Sequence, residues 1–223
     1  MPAAVTRTSV FAAEIAALPS GYTGLPRQLV EASQRQRLVH GVTVAVGDKG
    51  FHGATIADIT ERAGVSKKTF YEHFSDKLAC FLAAYDRGST AMLAESSQAA
   101  AAAREAGLGA VEQLRAGTHA YLDFLVFEES YARTFCVEVL AAGPEAVARH
   151  RGCREAFTRS LQVWQEVNRS QHPDWPDTPV IAYEAATGVV YEISSARVAA
   201  GRAHELLALE DDLVDAQLNI LRI

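Results

Sequence analysis

Two adjacent lysines, Lys67 and Lys68, open a short segment whose residue types suit binding to nucleic acid. Lysine side chains neutralise backbone phosphates and can reach the hydrogen-bond acceptors of guanine. Thr69 offers a hydroxyl group and a methyl group for base contact in the major groove. Tyr71 and His73 suit contact with phosphate, which fixes the register of a protein on DNA. We therefore predict that this segment binds DNA.

Helix caps and a turn flank these residues at the spacing of a helix-turn-helix. Thr55, with Asp58 three residues later, predicts a capping box at the start of a first helix. Gly64 stands where a helix can end in the left-handed conformation, and Ser66 is suited to cap a second helix. Apolar residues at helical spacing are expected to face a core: Ile56, Ile59, Ala63, Phe70 and Phe74. A motif of this kind presents the N-terminal residues of its second helix to the major groove.

The predicted DNA-contacting residues combine the caps with the outward side of the second helix: Thr55, Ser66, Lys67, Lys68, Thr69, Tyr71, His73 and Lys77. Ser75 is expected to cap a third helix, and the acidic Asp76 suits the positive end of its dipole. A small helical subdomain with a solvated basic face is the alternative interpretation. Two caps, a turn glycine and an inward apolar pair occur together in a helix-turn-helix, whereas a solvated basic face does not require this combination.

The same stretch resembles the TetR family of bacterial transcriptional repressors. The resemblance spans about residues 30–85, and its motif consists of Thr55, Ile59, Ala63-Gly64-Val65-Ser66, Thr69-Phe70-Tyr71, His73-Phe74 and Lys77. It implies a homodimer that binds double-stranded operator DNA and carries an all-helical ligand domain. It further implies a repressor that leaves its palindromic operator when a small, apolar molecule binds. The motif itself indicates DNA binding and leaves repression or activation open.

Helical spacing and the placement of glycine and proline predict an all-α protein. We expect a flexible N-terminal arm at residues 1–26 and a three-helix helix-turn-helix domain at residues 27–78. A larger helical domain for ligand binding and dimerisation follows at residues 79–223. In the first domain, a helix over residues 27–49 precedes a loop over residues 50–53. Later helices are predicted over residues 76–104, 110–127, 131–141, 145–169, 179–200 and 205–221.

Length, composition and charge narrow the class of protein. The 223 residues are 49% hydrophobic, which is enough for a sizeable core. Absence of an apolar run of about 18 residues predicts no membrane association, and no secretion signal is recognisable, so we expect a cytoplasmic protein. Residues 1–78 carry nine Lys+Arg and seven Asp+Glu, whereas residues 79–223 carry 12 and 20. The acidic part is expected to face away from phosphate.

The last two predicted helices carry faces suited to close helix packing. By the resemblance, they pair with their copies across a dimer interface that includes Ala182, Ala186, Val189, Ile193, Leu213 and Leu218. Packing of both faces within one chain is the alternative. Dimerisation is favoured because helix-turn-helix proteins read two half-sites about 34–36 Å apart.

Aromatic and polar residues of the C-terminal half are candidates for an apolar ligand pocket with a few polar anchors. The predicted ligand-binding residues are His119, Tyr121, Phe124, Phe127, Phe135, Trp164, Tyr183, Glu184, Thr187 and Tyr191. Ordinary core packing is the alternative for each of them, and the family resemblance carries most of the argument.

Two other classes of protein compete with this interpretation: a helical enzyme, and a constitutive DNA-binding protein without an inducer. The sequence has no phosphate-binding glycine motif, nucleophile elbow or H-E-x-x-H motif. His150 and Cys153 are three residues apart, and two ligands alone make a poor metal site. Asp211, Asp212 and Asp215 suit a solvated face. We therefore expect no catalysis, no metal and no cofactor.

Overall fold

The computed structural model describes residues 9–11 and 26–223, and these residues form helices and connecting turns with no strand. The predicted all-α fold is confirmed. The helices are α1 (Arg27–Gly53), α2 (Ile56–Ala63), α3 (Lys67–His73), α4 (Lys77–Glu105), α5 (Ala110–Phe127), α6 (Glu129–Arg133), α7 (Val139–Ala141), α8 (Pro144–Arg169), α9 (Val180–Ala199) and α10 (Glu210–Leu221). A π-helical turn, Thr134–Glu138, joins α6 to α7, and a 3₁₀ helix, Ala203–Leu209, precedes α10. Within the described ranges, no helix is long and apolar enough to cross a membrane.

The chain divides into two compact units, one ending at Gly88 and the other beginning at Ser89. Helix α4 contributes residues to both units, whereas the sequence predicted a domain boundary after residue 78. Most of the predicted N-terminal arm, residues 1–26, lies outside the described residues. Within the described part, Phe11 is only 4% exposed, and the Val10 carbonyl accepts a hydrogen bond of 2.9 Å from Arg87 Nε.

The first unit has a core formed by apolar faces of α1 to α4: Leu38, Val42, Val46, Ile59, Phe70, Phe74 and Phe81. Helices α1 and α2 approach each other closely at Gly41. A Cβ atom at this position would lie 2.7 Å from the Ile59 carbonyl oxygen, so only glycine fits without a shift of the backbone. This close contact fixes α2 against α1 and thereby positions the turn that follows.

Two boundaries in the first unit differ from the prediction. The predicted loop over residues 50–53 is a break at Gly50 (φ 73°, ψ 163°) followed by a further turn of α1. The predicted cap of the next helix, Ser75, is wrong, because Asp76 performs this role. Asp76 directly precedes α4, and its Oδ1 accepts a hydrogen bond of 2.8 Å from the Ala79 amide.

The second unit buries aromatic side chains between α5, α8 and α9. Trp164 and Trp175 lie with ring centroids 5.5 Å apart, beside Tyr183, Ala186 and Leu221. The predicted helix over residues 131–141 is interrupted by the π-helical turn. The predicted helix over residues 205–221 divides into the 3₁₀ helix and α10. Acidic residues at the start of α10, Glu210, Asp211 and Asp212, favour a new helix N-terminus at this point.

Candidate DNA-binding surface and ligand cavity

Helix α2 begins with the predicted capping box. The Thr55 hydroxyl accepts a hydrogen bond of 3.2 Å from the Asp58 amide, and the Thr55 amide donates to Asp58 Oδ2 over 2.9 Å. Lys49 Nζ lies 2.5 Å from Asp58 Oδ1. The hydrogen bond from Lys49, aided by those from Thr55, holds the pKa of the Asp58 carboxyl well below its usual range. Thr55 therefore anchors α2 through its own side chain.

The turn between α2 and α3 depends on Gly64, which adopts the left-handed conformation (φ 61°, ψ 39°). This arrangement ends α2, because the Gly64 amide turns back toward the Glu61 carbonyl. Arg37 of α1 donates hydrogen bonds to the carbonyls of Ala63 (3.0 Å) and Gly64 (3.3 Å). No local pattern marks this arginine, because its hydrogen-bond partners are distant along the chain.

Helix α3 presents a polar face outward and an aromatic face inward. Ser66 caps it by accepting a hydrogen bond of 3.0 Å from the Thr69 amide. Phe70 and Phe74 are buried, whereas Lys67 and Lys68 are exposed and Tyr71 is 59% exposed. Lys68 Nζ lies 4.0 Å from a carboxylate oxygen of Glu72. Lys67, Lys68 and Tyr71 together form an exposed surface that is suited to contact with a phosphate backbone.

Besides the two caps, Thr55 and Ser66, three further residues of the predicted DNA-contacting set have hydrogen-bond partners within the first unit. Lys77 Nζ donates to the carbonyls of Phe51 (2.5 Å) and Ala54 (2.8 Å), and burial lowers the pKa of this lysine. His73 Nε2 lies 3.1 Å from Gln34 Oε1. The Thr69 hydroxyl lies 3.0 Å from the Ser66 hydroxyl. Lys77 thus connects α4 to the end of α1.

A surface groove beside α3 contains His73 of the predicted DNA-contacting set, together with residues outside that set. It is lined by Arg27, Val30, Glu31, Ala32, Gln34, Arg35, Glu72 and His73. The Arg35 guanidinium lies over the Phe74 ring, 4.9 Å from its centroid, and Arg27 Nε pairs with Glu31 at 2.7 Å. The helical spacing of polar side chains along α1 could have indicated these residues.

The second unit contains a partly open cavity of about 110 Å³. Its lining is mainly apolar and comes from α4, α5, the π-helical turn, α8, α9 and α10. The lining residues are Ser96, Ser97, Ala100, Gln113, Leu114, Gly117, Thr118, Tyr121, Phe135, Arg154, Phe157, Ser160, Leu161, Trp164, Thr187, Val190, Tyr191 and Gln217. An apolar pocket with a few placed polar groups is the usual form of a small-molecule site.

Several polar side chains around the cavity are hydrogen-bonded to protein groups. Trp164 Nε1 donates to the Ala110 carbonyl over 3.0 Å, and the Thr118 hydroxyl donates to Gln217 Oε1 over 3.1 Å. The hydroxyls of Tyr121 and Ser194 are neighbours, but neither makes a hydrogen bond of ordinary geometry within the described residues. Burial raises the pKa of Tyr121 well above its usual value, so this hydroxyl stays protonated.

Half of the predicted ligand-binding residues line this cavity: Tyr121, Phe135, Trp164, Thr187 and Tyr191. The other five lie elsewhere. Phe124 is buried in the core, Phe127 is 42% exposed, and the Tyr183 hydroxyl donates to Gln165 Oε1. His119 Nδ1 lies 2.6 Å from Glu210 Oε2, and Glu184 lines a separate groove between α8 and α9.

The predicted dimer-interface residues separate into two groups by burial within one chain. Ala186 is 0% exposed and Leu213 is 1% exposed, so both are already covered by their own unit. The remaining four are half-buried: Ala182, Val189, Ile193 and Leu218. Only this second group can contribute area to contact with another copy.

Comparison with known proteins places these features in a family. Residues 45–84 match the model of bacterial regulatory proteins of the tetR family. The HTH-type transcriptional activator FasR of Mycolicibacterium smegmatis is 28% identical over 143 residues, which are 64% of this chain and 64% of that protein. The regulator BetI of Serratia proteamaculans is 40% identical over 53 residues, 24% of this chain and 27% of BetI. The chain thus matches less than two thirds of the length of either relative.

Solved structures share the fold across most of the chain. The fatty acid degradation regulator FadR of Bacillus halodurans superposes with a TM-score of 0.74 at 14% identity, covering 83% of this chain and 94% of that one. FadR of Bacillus subtilis, solved in complex with stearoyl-CoA, gives a TM-score of 0.71 at 14% identity and covers 81% and 96%. The fold and the N-terminal motif define a helix-turn-helix protein with a helical second unit. Residues 45–84 carry the motif of the tetR family of bacterial regulatory proteins, and the chain as a whole is similar to regulators of that family in its fold.

Proposed function

We propose that the protein is a ligand-responsive transcriptional regulator, a repressor that acts as a cytoplasmic homodimer on a palindromic operator. A small, largely apolar molecule binds in the cavity of the second unit and lowers the affinity for DNA. The observation that supports this proposal best is the exposed face of α3, which carries Lys67, Lys68 and Tyr71. This helix follows a capped helix and a left-handed glycine turn, and it begins with a cap of its own. Side chains of this kind suit the major groove and its phosphates.

The cavity supports the ligand-responsive part of the proposal. Its aromatic lining suits an apolar molecule, and one fold neighbour was solved with stearoyl-CoA. A ligand changes operator affinity only through its different affinities for the DNA-competent and DNA-incompetent states. Coupling of this kind is typically about 1–3 kcal/mol, which corresponds to a change of about 5–150-fold in affinity.

A binding experiment with the DNA upstream of its own gene tests the proposal. We expect fluorescence anisotropy to report saturable binding to a palindromic segment and weaker binding to a scrambled fragment of equal length. Equal affinity for both fragments would contradict operator recognition.

Transcription in vitro then gives the sign of regulation. A repressor lowers the yield from the bound promoter, and the ligand restores it. An activator raises the yield instead, and this second candidate is favoured by the relative FasR, which is an activator. Addition of the protein to a promoter that lacks the palindrome serves as the control.

A further inference from the structure

A groove between α8 and α9 of the second unit contains three arginines, Arg151, Arg154 and Arg159. All three are exposed, and none forms an ion pair with another described residue. The other two arginines of α8 are paired, Arg149 with Glu145 at 3.8 Å and Arg169 with Asp177. Unpaired cations are therefore concentrated where α8 faces the groove.

The groove also contains two carboxylates, Glu155 and Glu184, together with apolar and uncharged residues. Three guanidinium groups against two carboxylates leave a positive balance at this surface. Since guanidinium groups bind carboxylates and phosphates through paired, charge-assisted hydrogen bonds, the groove is suited to a compact anionic group.

The groove and the apolar cavity share two lining residues, Arg154 and Thr187. The Arg154 guanidinium lies over the Tyr191 ring, 4.5 Å from its centroid, and Tyr191 lines the cavity. Arg154 thus stands where the apolar space meets the charged surface. The Thr187 hydroxyl lies 3.0 Å from that of Thr158, a second residue of the groove.

We propose that the second unit binds an amphipathic anion, with an apolar tail in the cavity and a carboxylate or phosphate head on Arg151, Arg154 and Arg159. The proposal rests on the proposed function, because it specifies the ligand of the same unit. The cavity of about 110 Å³ is several times the roughly 10–15 Å³ that one water molecule requires, so it has room for the end of an acyl or alkyl chain. The arginines supply the orientation that an apolar cavity alone lacks.

Tryptophan fluorescence offers a direct assay, because Trp164 lines the cavity and the chain contains two tryptophans. Three probes with the same tail are titrated: octanoate, octyl phosphate and 1-octanol. We expect at least one anion to bind about tenfold more tightly than the alcohol, as hydrogen bonds to charged groups imply. The tighter of the two anions identifies the head as a carboxylate or a phosphate.

Variants of the arginines distinguish the contribution of the anionic head to binding from that of the apolar tail. Arg154→Gln is expected to weaken binding of the preferred anion by about tenfold and to change the affinity for 1-octanol by much less, because the alcohol has no charged head. Arg149→Gln is the matched control, since Arg149 lies on the same helix outside the groove and is paired with Glu145. The control should bind all three probes like the wild type.

The proposal is overturned if 1-octanol binds as tightly as both anions, or if Arg154→Gln binds the anions like the wild type. It is also overturned if Arg149→Gln weakens anion binding as much as Arg154→Gln does, because general charge would then explain the effect. Absence of binding for every probe, checked by calorimetry, overturns it as well. Operator binding is measured without any probe, so a failure here is distinguishable from a failure of the proposed function.

Discussion

The lysines near the helix-turn-helix differ in what their ammonium groups contact. Lys67 and Lys68 are exposed on α3, whereas Lys49 is paired with Asp58 and Lys77 with two backbone carbonyls. We expect Lys67→Ala or Lys68→Ala to weaken operator binding and to lower the slope of log affinity against log salt by about 1. Fluorescence anisotropy over a series of salt concentrations measures this slope.

A matched substitution separates phosphate contact from general loss of charge. Lys49→Ala removes the same charge, but its ammonium is already engaged by Asp58, so the salt slope should stay close to that of the wild type. Tyr71→Ala is expected to weaken binding without changing the slope, since no charge is lost. If the α3 lysine variants keep the slope of the wild type while circular dichroism reports an intact fold, α3 does not contact phosphate.

His150 gives the second unit a pH-dependent stability. It is 5% exposed, and burial, aided by the charge of Arg154, lowers its pKa to about 4. Because the unfolded histidine has a pKa of about 6.5, the unfolded state binds more protons between these values. The contribution of the neutral imidazole is therefore complete above pH 6.5 and is lost as the pH falls toward 4.

We expect His150→Gln to lose less stability than the wild type between pH 7 and pH 4.5, by about 1–2 kcal/mol. Urea unfolding at a series of pH values measures the difference. His204→Gln is the control, because His204 is exposed and its substitution should leave the pH dependence unchanged. Parallel stability curves for wild type and His150→Gln would show that this imidazole is not kept neutral by the fold.

At the scale of elements, local side-chain signals predicted the helix-turn-helix well. Thr55 with Asp58, Gly64 and Ser66 act on the backbone within a few residues of themselves, so their types and spacing were sufficient. The split of the last predicted helix and the π-helical turn were not predicted. The second of these involves tertiary contact, since the Tyr191 hydroxyl donates to the Cys136 carbonyl from another helix.

The turn glycine provides a test of this local control. Gly64→Ala places a side chain at φ 61°, where an L-residue costs about 1–2 kcal/mol. Gly152→Ala is the matched control: Gly152 lies inside α8 with open space around its Cβ position. It should be neutral or stabilising by up to about 1 kcal/mol. Thermal unfolding compares the two variants, and equal stability would contradict the role assigned to Gly64.

Helix α9 is the element on which dimerisation is expected to depend. Val189 is half-buried in the single chain, so Val189→Arg should fold and place an unpaired charge in the contact between copies. We expect light scattering to report a monomer for this variant and a dimer for the wild type. Ala186→Arg is a poor choice, since Ala186 is 0% exposed and the charge would disrupt its own unit.

The control for Val189→Arg is Ala141→Arg, a substitution at an exposed position at the end of α7. It adds the same charge away from α9 and should leave the dimer intact. A Val189→Arg protein that remains a dimer at micromolar concentration would assign the interface to another surface.

At the scale of the whole molecule, ligand and operator are expected to oppose each other equally. Thermodynamic linkage requires that a ligand which weakens operator binding by a given factor is itself weakened by the operator by that factor. Titration of an anionic probe with and without saturating operator DNA measures the second factor. A scrambled DNA fragment at the same concentration is the control, and equal probe affinity with operator and with scrambled DNA would exclude induction.

The candidate ligand site could be predicted only in part, because its walls come from helices far apart in sequence. Aromatic residues such as Tyr121, Phe135 and Trp164 were recognisable as candidates by type. Helical spacing alone does not distinguish them from Phe124, which has the same type and packs in the core. The arginines of α8 were missed because their pattern along the sequence is that of an ordinary solvated helix face.

The π-helical turn Thr134–Glu138 has a consequence for insertions and deletions in this region. A π-helical turn contains one residue more than the α-helical turn that it replaces, so it adds a residue without ending the helix. Deletion of one residue between positions 134 and 138 would let the helix continue in regular α geometry. Every following side chain of the segment would then rotate by about 100°, the angle between successive residues of an α-helix. Phe135 of this turn lines the cavity. The length of the segment, as much as its composition, therefore determines which side chains face the cavity.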